Sequence, residues 1–207
     1  MKRFIVSGTD TGIGKTIFAA GLTGWLGGQY WKPVQAGMDE ETDVEVVARL
    51  SGRPLCAIIP EVYRLVTPCS PHQAAQIDGV VIDPSRLTLP NENGPLVVEG
   101  AGGVLVPLTP TLLYADMFAR WQLPVILVAR TSLGTINHSL LSLEALRVRQ
   151  IAVHGIVFVG DENKVTENTI CEIGCARHLG RLPILDPLTA KTLRKNFVEN
   201  IRTEFLT

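Results

Sequence analysis

Nine consecutive residues, Gly8-Thr9-Asp10-Thr11-Gly12-Ile13-Gly14-Lys15-Thr16, constrain this chain more than any other part of it. The run fits the pattern GxxxxGKT. It stands between an apolar triplet, Phe4-Ile5-Val6, and a stretch suited to a helix, Lys15–Leu26. Glycines let the backbone turn so that several N–H groups point at one anion. The start of a helix adds its partial positive charge. A lysine at the position of Lys15 reaches the β- and γ-phosphates of a nucleotide, and a hydroxyl at that of Thr16 ligates Mg2+. A bare glycine-rich turn is common, whereas this run in a strand–turn–helix setting reads as a phosphate-binding loop. The loop alone names no reaction, because motors, GTPases, small-molecule kinases and synthetases all use it.

The rest of the chain repeats the same alternation of apolar run and helical stretch. Leu96-Val97-Val98 ends at Glu99-Gly100-Ala101-Gly102-Gly103. Val125–Ala129 leads to a helical stretch over residues 135–149, with Leu140, Leu141, Leu143 and Leu146 on an apolar face. Ile156–Val159 precedes a helix expected over about 164–179, and Leu182-Pro183-Ile184-Leu185 reads as a last short strand. Continuous apolar runs mark strands buried on both faces, and βα alternation marks a parallel sheet with right-handed crossovers. The expectation is an α/β fold of the P-loop NTPase type, three layers deep, with a mostly parallel central sheet flanked by helices. A length of 207 residues suits one domain over 1–207. Ligands of such sheets gather at the carboxyl ends of the strands, so the loops that matter begin at Ser7, Gln35, Glu99, Ala129 and Gly160. Two segments look trimmed: only residues 27–31 lie between Leu26 and Lys32, and residues 89–95 leave little room for a long helix before the strand at 96.

Charge narrows the partners. A formal net charge of −1 gives no bulk reason to expect nucleic acid or an anionic membrane, so a bound anion must be held by a local site. No segment offers the roughly 18 uncharged apolar residues of a bilayer span, and Met1–Ser7 is too short an apolar run to serve as a signal peptide. The four cysteines, Cys56, Cys69, Cys171 and Cys175, form no CxxC pair. Cys171 and Cys175 lie four apart on an expected helix face and read as small half-buried side chains rather than half a metal site. A cytoplasmic setting is expected.

Three side chains outside the loop carry possible chemistry. Glu99, at the end of a buried strand, is placed as Mg2+ partners usually are in this architecture, and the glycines after it let a substrate approach the backbone. Capping a turn is the plain alternative. Asp43 heads a helical stretch, Asp43–Leu50, behind Asp39, Glu40 and Glu41, and complementing the helix dipole explains it by itself. Lys32, in the loop Lys32-Pro33-Val34-Gln35-Ala36-Gly37, reads equally as a solvated charge or as a neutraliser of an incoming anion.

Taken in order, GTDTGIGKT, KPVQAG, TPCSPH, VEGAGG and LPVILVA with LGTINH resemble the dethiobiotin synthetase family, from Phe4 to about Leu185. The resemblance implies an enzyme of biotin synthesis that takes 7,8-diaminopelargonic acid, CO2 and ATP. It closes a cyclic urea through a carbamate and a carbamic-phosphoric anhydride, releasing ADP and phosphate. By matching position, Lys15 and Lys32 would be catalytic, flanking the carbamate and the transferring phosphate. The nucleotide would meet Gly12, Ile13, Gly14, Lys15, Thr16 and Ile17, then Asp43, Glu99, Gly100, Ala101 and Gly102, with Pro183, Ile184 and Leu185 at the adenine. Thr16, Asp43 and Glu99 would surround Mg2+, which gives Asp43 a metal role in place of a dipole role. Thr11, Lys32, Ala36, Gly102 and Gly103 would line the diamine pocket. Asn137 would bind the substrate carboxylate across a homodimer interface, while His138 beside it reads as structural.

Two positions depart from the family pattern. Some members carry serine where Ala36 stands, and well-known members follow the fifth strand with Asn-Asp as an adenine reader where this chain has Val159-Gly160-Asp161. A partition ATPase of the deviant-Walker type would need a lysine at Asp10. A nucleotide-binding module without chemistry would leave Lys32 and the LGTINH loop unexplained.

Overall fold

β1, Arg3–Gly8, runs through the middle of the molecule and hands the chain directly to the glycine-rich loop and helix α1, Lys15–Leu26. The computed structural model describes residues 2–91 and 93–206. After α1 come β2 (Gln29–Trp31), β3 (Val34–Ala36), α2 (Asp43–Leu50), β4 (Ile58–Ile59), β5 (Tyr63–Leu65) and α3 (Pro71–Ile77). Then follow β6 (Leu96–Gly103), β7 (Pro107–Thr109), β8 (Leu112–Leu113), α4 (Tyr114–Trp121), β9 (Val125–Arg130) and α5 (Thr135–Val148). The chain closes with β10 (Val153–Val159), α6 (Lys164–Ile173), β11 (His178–Leu182) and α7 (Ala190–Asn200).

Seven of these strands form one sheet, in the order β11-β10-β9-β1-β6-β2-β4, with every pairing parallel. The chain leaves β1 for β2 and β4, returns to fill the gap with β6, then crosses to β9 on the other side of β1. That reversal puts a crevice at the carboxyl end of β1, between β6 and β9, where ligands of such sheets bind. The sheet is the expected one.

Strand parity sorts the core into two layers. Phe4, Val6, Tyr30, Val97, Ile126, Val128 and Val157 face α1 and α7. Their neighbours Ile5, Trp31, Leu96, Val98, Val125, Leu127 and Ile156 face the other way, towards α4, α5 and α6. Both faces are covered, which is why the strands read as continuous apolar runs.

Four expectations need correction. The helix after β10 stops at Ile173 rather than near residue 179, because Gly174 caps it and Cys175 takes a φ of 42°. Cys171 and Cys175 therefore do not share a helix face. The last strand is His178–Leu182, not residues 182–185, since Pro183 has no N–H for the sheet ladder. The segment after Lys32 is partly a strand, β3, paired in parallel with β5 outside the main sheet. Among the described residues, no helix is long and apolar enough to cross a membrane.

Candidate active site

The glycine-rich loop opens α1 through Gly14, whose φ is 91°. A Cβ there would sit 2.9 Å from a Val159 methyl, so both the turn and the packing require glycine. No side chain caps α1 and no acidic residue stands in its first turn, which leaves the first N–H groups for a ligand. Lys15 arches back over the loop, donating to the Asp10 carbonyl at 2.6 Å.

Asp43 is held by local chemistry of its own. Thr42 and Glu45 form a capping box: Glu45 accepts the Thr42 N–H at 2.8 Å, and the Thr42 hydroxyl accepts the Glu45 N–H at 3.4 Å. Asp43 is thus the first helical residue of α2 and faces Thr16. The Thr16 hydroxyl touches Asp43 Oδ1 and lies 2.9 Å from Glu99 Oε1. Lys32 Nζ is 2.5 Å from Asp43 Oδ2 and 3.6 Å from Glu99 Oε1. Glu99 is fully buried, and its second oxygen accepts from the Tyr30 hydroxyl at 2.9 Å.

The electrostatics are those of a largely buried charge cluster, with Asp43 at its half-buried edge. Burial raises the Glu99 carboxyl, against the pull of Lys32 and with the push of Asp43. Burial acts upward on Asp43 too, but the Lys32 charge and hydrogen bonds from Lys32, Thr16 and Gln35 hold it below the usual range. Burial alone would lower Lys32; Glu99 and Asp43 together raise it. Lys15 is lowered to about 8, chiefly by burial. Buried ionic clusters rarely add net stability over packed apolar side chains, so fold energetics do not explain these four charges. A bound anion would account for the two lysines, and a cation beside it for the two carboxylates.

The oxygens of Thr16, Asp43 and Glu99 also meet a test for Mg2+. One hydroxyl proton serves only one of two carboxylates, so one oxygen–oxygen contact of Thr16 has no hydrogen between its atoms. A small hard cation among them would relieve that repulsion. Among the described residues no group of three or more His, Cys, Asp or Glu forms a closed metal cage. Two carboxylates and a hydroxyl, completed by phosphate oxygens and water, is the open donor set that Mg2+ takes.

These groups line one cavity of about 940 Å3. Thr11, Gly12, Ile13, Gly14, Lys15, Thr16, Ile17, Lys32, Ala36, Asp43, Glu99, Ala101 and Gly102 form its floor and one wall, with Pro183, Ile184 and Leu185 at its far end. Gly102, at φ 58°, packs where a Cβ would lie 3.2 Å from the Thr11 hydroxyl. Gly100 and Gly103 flank that wall without lining it. Asn137, on the first turn of α5, is exposed and lies outside this lining, as does His138.

Comparison with known proteins settles the family. A family model described as an AAA domain matches residues 2–192. A protein from Agrobacterium fabrum named ATP-dependent dethiobiotin synthetase BioD is 61% identical over 198 residues, covering 96% of this chain and 93% of its own. One of the same name from Novosphingobium aromaticivorans is 58% identical over 204 residues, covering 99% and 98%. The chain belongs to the ATP-dependent dethiobiotin synthetase family. It is an enzyme of that family, and the family's dependence on ATP gives the glycine-rich loop its ligand. Solved structures share the fold: a ParA family ATPase from Chlorobium tepidum has a TM-score of 0.60 at 11% identity, covering 99% of this chain and 95% of its own.

Some residues at the site escaped the sequence reading. Tyr30 is one; strand parity would have found it, because Tyr30 is in register with Val97 and Glu99 follows two residues later on the same face. Arg130 is another, pairing with Asp10 at the cavity edge; no local pattern marks a residue 120 positions from its partner. Pro68, Cys69, Ser70 and Pro71, from the TPCSPH stretch, also line the cavity.

Proposed function

We propose that this enzyme carries out the Mg-dependent carboxylation and ring closure of 7,8-diaminopelargonic acid with CO2 and ATP, giving dethiobiotin, ADP and phosphate. The observation that carries this reading is Lys32. A nucleotide site needs one cation in its loop, and Lys15 supplies it. A second buried ammonium, held over Asp43 and Glu99 in the same cavity, suits a reaction that brings two anions together.

CO2 adds to one amine of the substrate to give a carbamate. A carbamate is a poor electrophile until one of its oxygens becomes a leaving group, so it attacks the γ-phosphorus and ADP departs. The second amine then attacks the carbonyl carbon, and phosphate leaves as the ring closes. Lys15 and Lys32 stand where both the carbamate and the moving phosphoryl group gain negative charge, and fixed charges in a water-poor site act most strongly there. Thr16, Asp43 and Glu99 would hold Mg2+, which when bound neutralises phosphate oxygens. Thr11, Ala36, Gly102 and Gly103 would frame the diamine. The exposed side of α5 that carries Asn137 and Leu141, with the exposed Leu133 in the loop before it, would pair with a second copy, so that Asn137 meets the neighbour's substrate carboxylate. A cytoplasmic enzyme with one domain over 1–207 and no nucleic-acid or membrane partner completes the reading.

Purified protein with ATP, Mg2+ and bicarbonate should release phosphate only when the diamine is added; release that ignores the diamine would sink the assignment. The dimer has its own test. Mixing inactive Lys15→Ala with inactive Asn137→Ala protein should restore part of the activity, since each hybrid holds one site with both side chains intact. No recovery after proven subunit exchange would place Asn137 in its own subunit or outside the site.

A further inference from the structure

Among the described residues, every donor to Glu99 except one belongs to the chemistry already assigned. The exception is Tyr30, whose side chain is fully buried and whose hydroxyl donates to Glu99 Oε2 at 2.9 Å. Thr16 and Lys32 both meet the other oxygen, Oε1. The carboxylate is therefore oriented edge-on: one oxygen serves the cavity and the other is tied to the sheet. Turning both oxygens towards Thr16 would break the phenol's bond and leave a buried hydroxyl unpaired, which is costly. The tie is rigid at both ends, because β2 and β6 are hydrogen-bonded neighbours and Tyr30 packs among Phe18, Val97 and Val6 in the core layer.

We propose that Tyr30 is a positioning residue for metal selectivity, holding Oε2 of Glu99 so that this carboxylate offers the cavity a single oxygen. The proposal rests on the reading that Thr16, Asp43 and Glu99 hold Mg2+. Mg2+ takes carboxylates through single oxygens at six close, near-octahedral positions, whereas Ca2+ takes six to eight oxygens and accepts a carboxylate through both. A Glu99 held by one edge favours the smaller ion. Free to swing, it would suit the larger one better.

The test is calorimetric binding of ADP and of a non-hydrolysable ATP analogue in EDTA, in Mg2+ and in Ca2+, to wild-type and Tyr30→Phe protein. In wild type, Mg2+ strengthens binding more than Ca2+ does. In Tyr30→Phe the preference should narrow by about tenfold, the scale on which groups behind a metal ligand act, while binding in EDTA stays as it was. A merely structural role would weaken all three conditions together. An unchanged preference in a folded Tyr30→Phe protein overturns the proposal. Wild-type binding indifferent to either cation would instead overturn the metal reading beneath it. Should the variant fail to fold, the wild type still decides. The shielded Tyr30 hydroxyl proton, assigned by NMR through its own ring, should persist when Mg2+ and nucleotide are added, and its loss would show that the phenol releases Glu99.

Discussion

The two ends of the cavity are built on opposite plans. At the phosphate end, Thr16, Lys32, Asp43 and Glu99, from three elements and the loop before β3, are tied to one another, Lys15 beside them donates to the Asp10 carbonyl, and both lysines and Glu99 are nearly or fully buried. At the far end the side chains are Val159, Leu182, Pro183, Ile184, Leu185 and Leu188, all apolar, and Ile184 is 71% exposed. The difference says where the enzyme needs fixed polarity. Charge moves at the phosphates during reaction, and preorganised partners act there without reorganising. Nothing would happen chemically to a base bound at the far end, as the proposed reading has it, so shape and apolar contact would suffice there.

The comparison breaks most easily at Lys32. If this ammonium serves developing charge, Lys32→Ala should lower turnover several hundredfold, about 3–4 kcal/mol, the scale of losing one electrostatic stabiliser. Nucleotide affinity should fall much less, because Lys15 and the loop remain. Steady-state kinetics with calorimetric ADP binding separate the two, after a thermal melt shows the variant folded. Turnover near that of wild type would remove Lys32 from the reacting groups.

Lys15 sharpens the comparison through pH. Chiefly because of burial, its ammonium loses its proton at about 8 in the free protein. A bound phosphate favours the charged form, so binding above that pH must take up a proton. In EDTA, ADP affinity should change little below pH 8 and then fall, approaching about tenfold per unit. Lys15→Arg protein, whose guanidinium keeps its charge over this range, should show no such fall even where it binds more weakly. A wild-type affinity that stays level well above pH 8 would mean that Lys15 is charged before the nucleotide arrives.

Much of this contrast was legible before the structure. The glycine-rich loop announces itself, since its chemistry is packed into nine adjacent residues. The central strands show as uninterrupted apolar runs because both faces are covered. Legibility fails where a residue works through a distant neighbour. From its own segment Asp43 reads as an ordinary acidic helix start; only the family resemblance, or the packing of its helix against α1, puts it beside Thr16. Tyr30 reads as one more aromatic core residue, and Arg130 as a strand-end charge. The end of α6 was misplaced because the apolar residues of β11 continue a helix-like pattern past Gly174, and only pairing with β10 makes them a strand.

The smallest expected effect is at the base end. Family members that read adenine with an asparagine have it where this chain has Val159-Gly160. Gly160 is held by its backbone, its carbonyl accepting from Arg181 at 2.9 Å. Asp161, Glu162 and Asn163 follow, yet of the described residues lining the cavity none is one of these three. The Asn163 side-chain oxygen is already committed, accepting the Thr166 N–H as the cap of α6. Base selectivity comes from buried polar groups left unpaired by the wrong base, about 1–3 kcal/mol for each. On the proposed placement the base would meet apolar side chains, so only backbone groups could impose that penalty, while the triphosphate is held wherever the loop is intact. CTP, GTP and UTP should therefore support turnover within about tenfold of ATP, measured as steady-state phosphate release at matched Mg2+. A thousandfold preference for ATP would show that another polar group, such as one from residues 161–163, reads the base after all, and the two ends of the cavity would then be alike in kind.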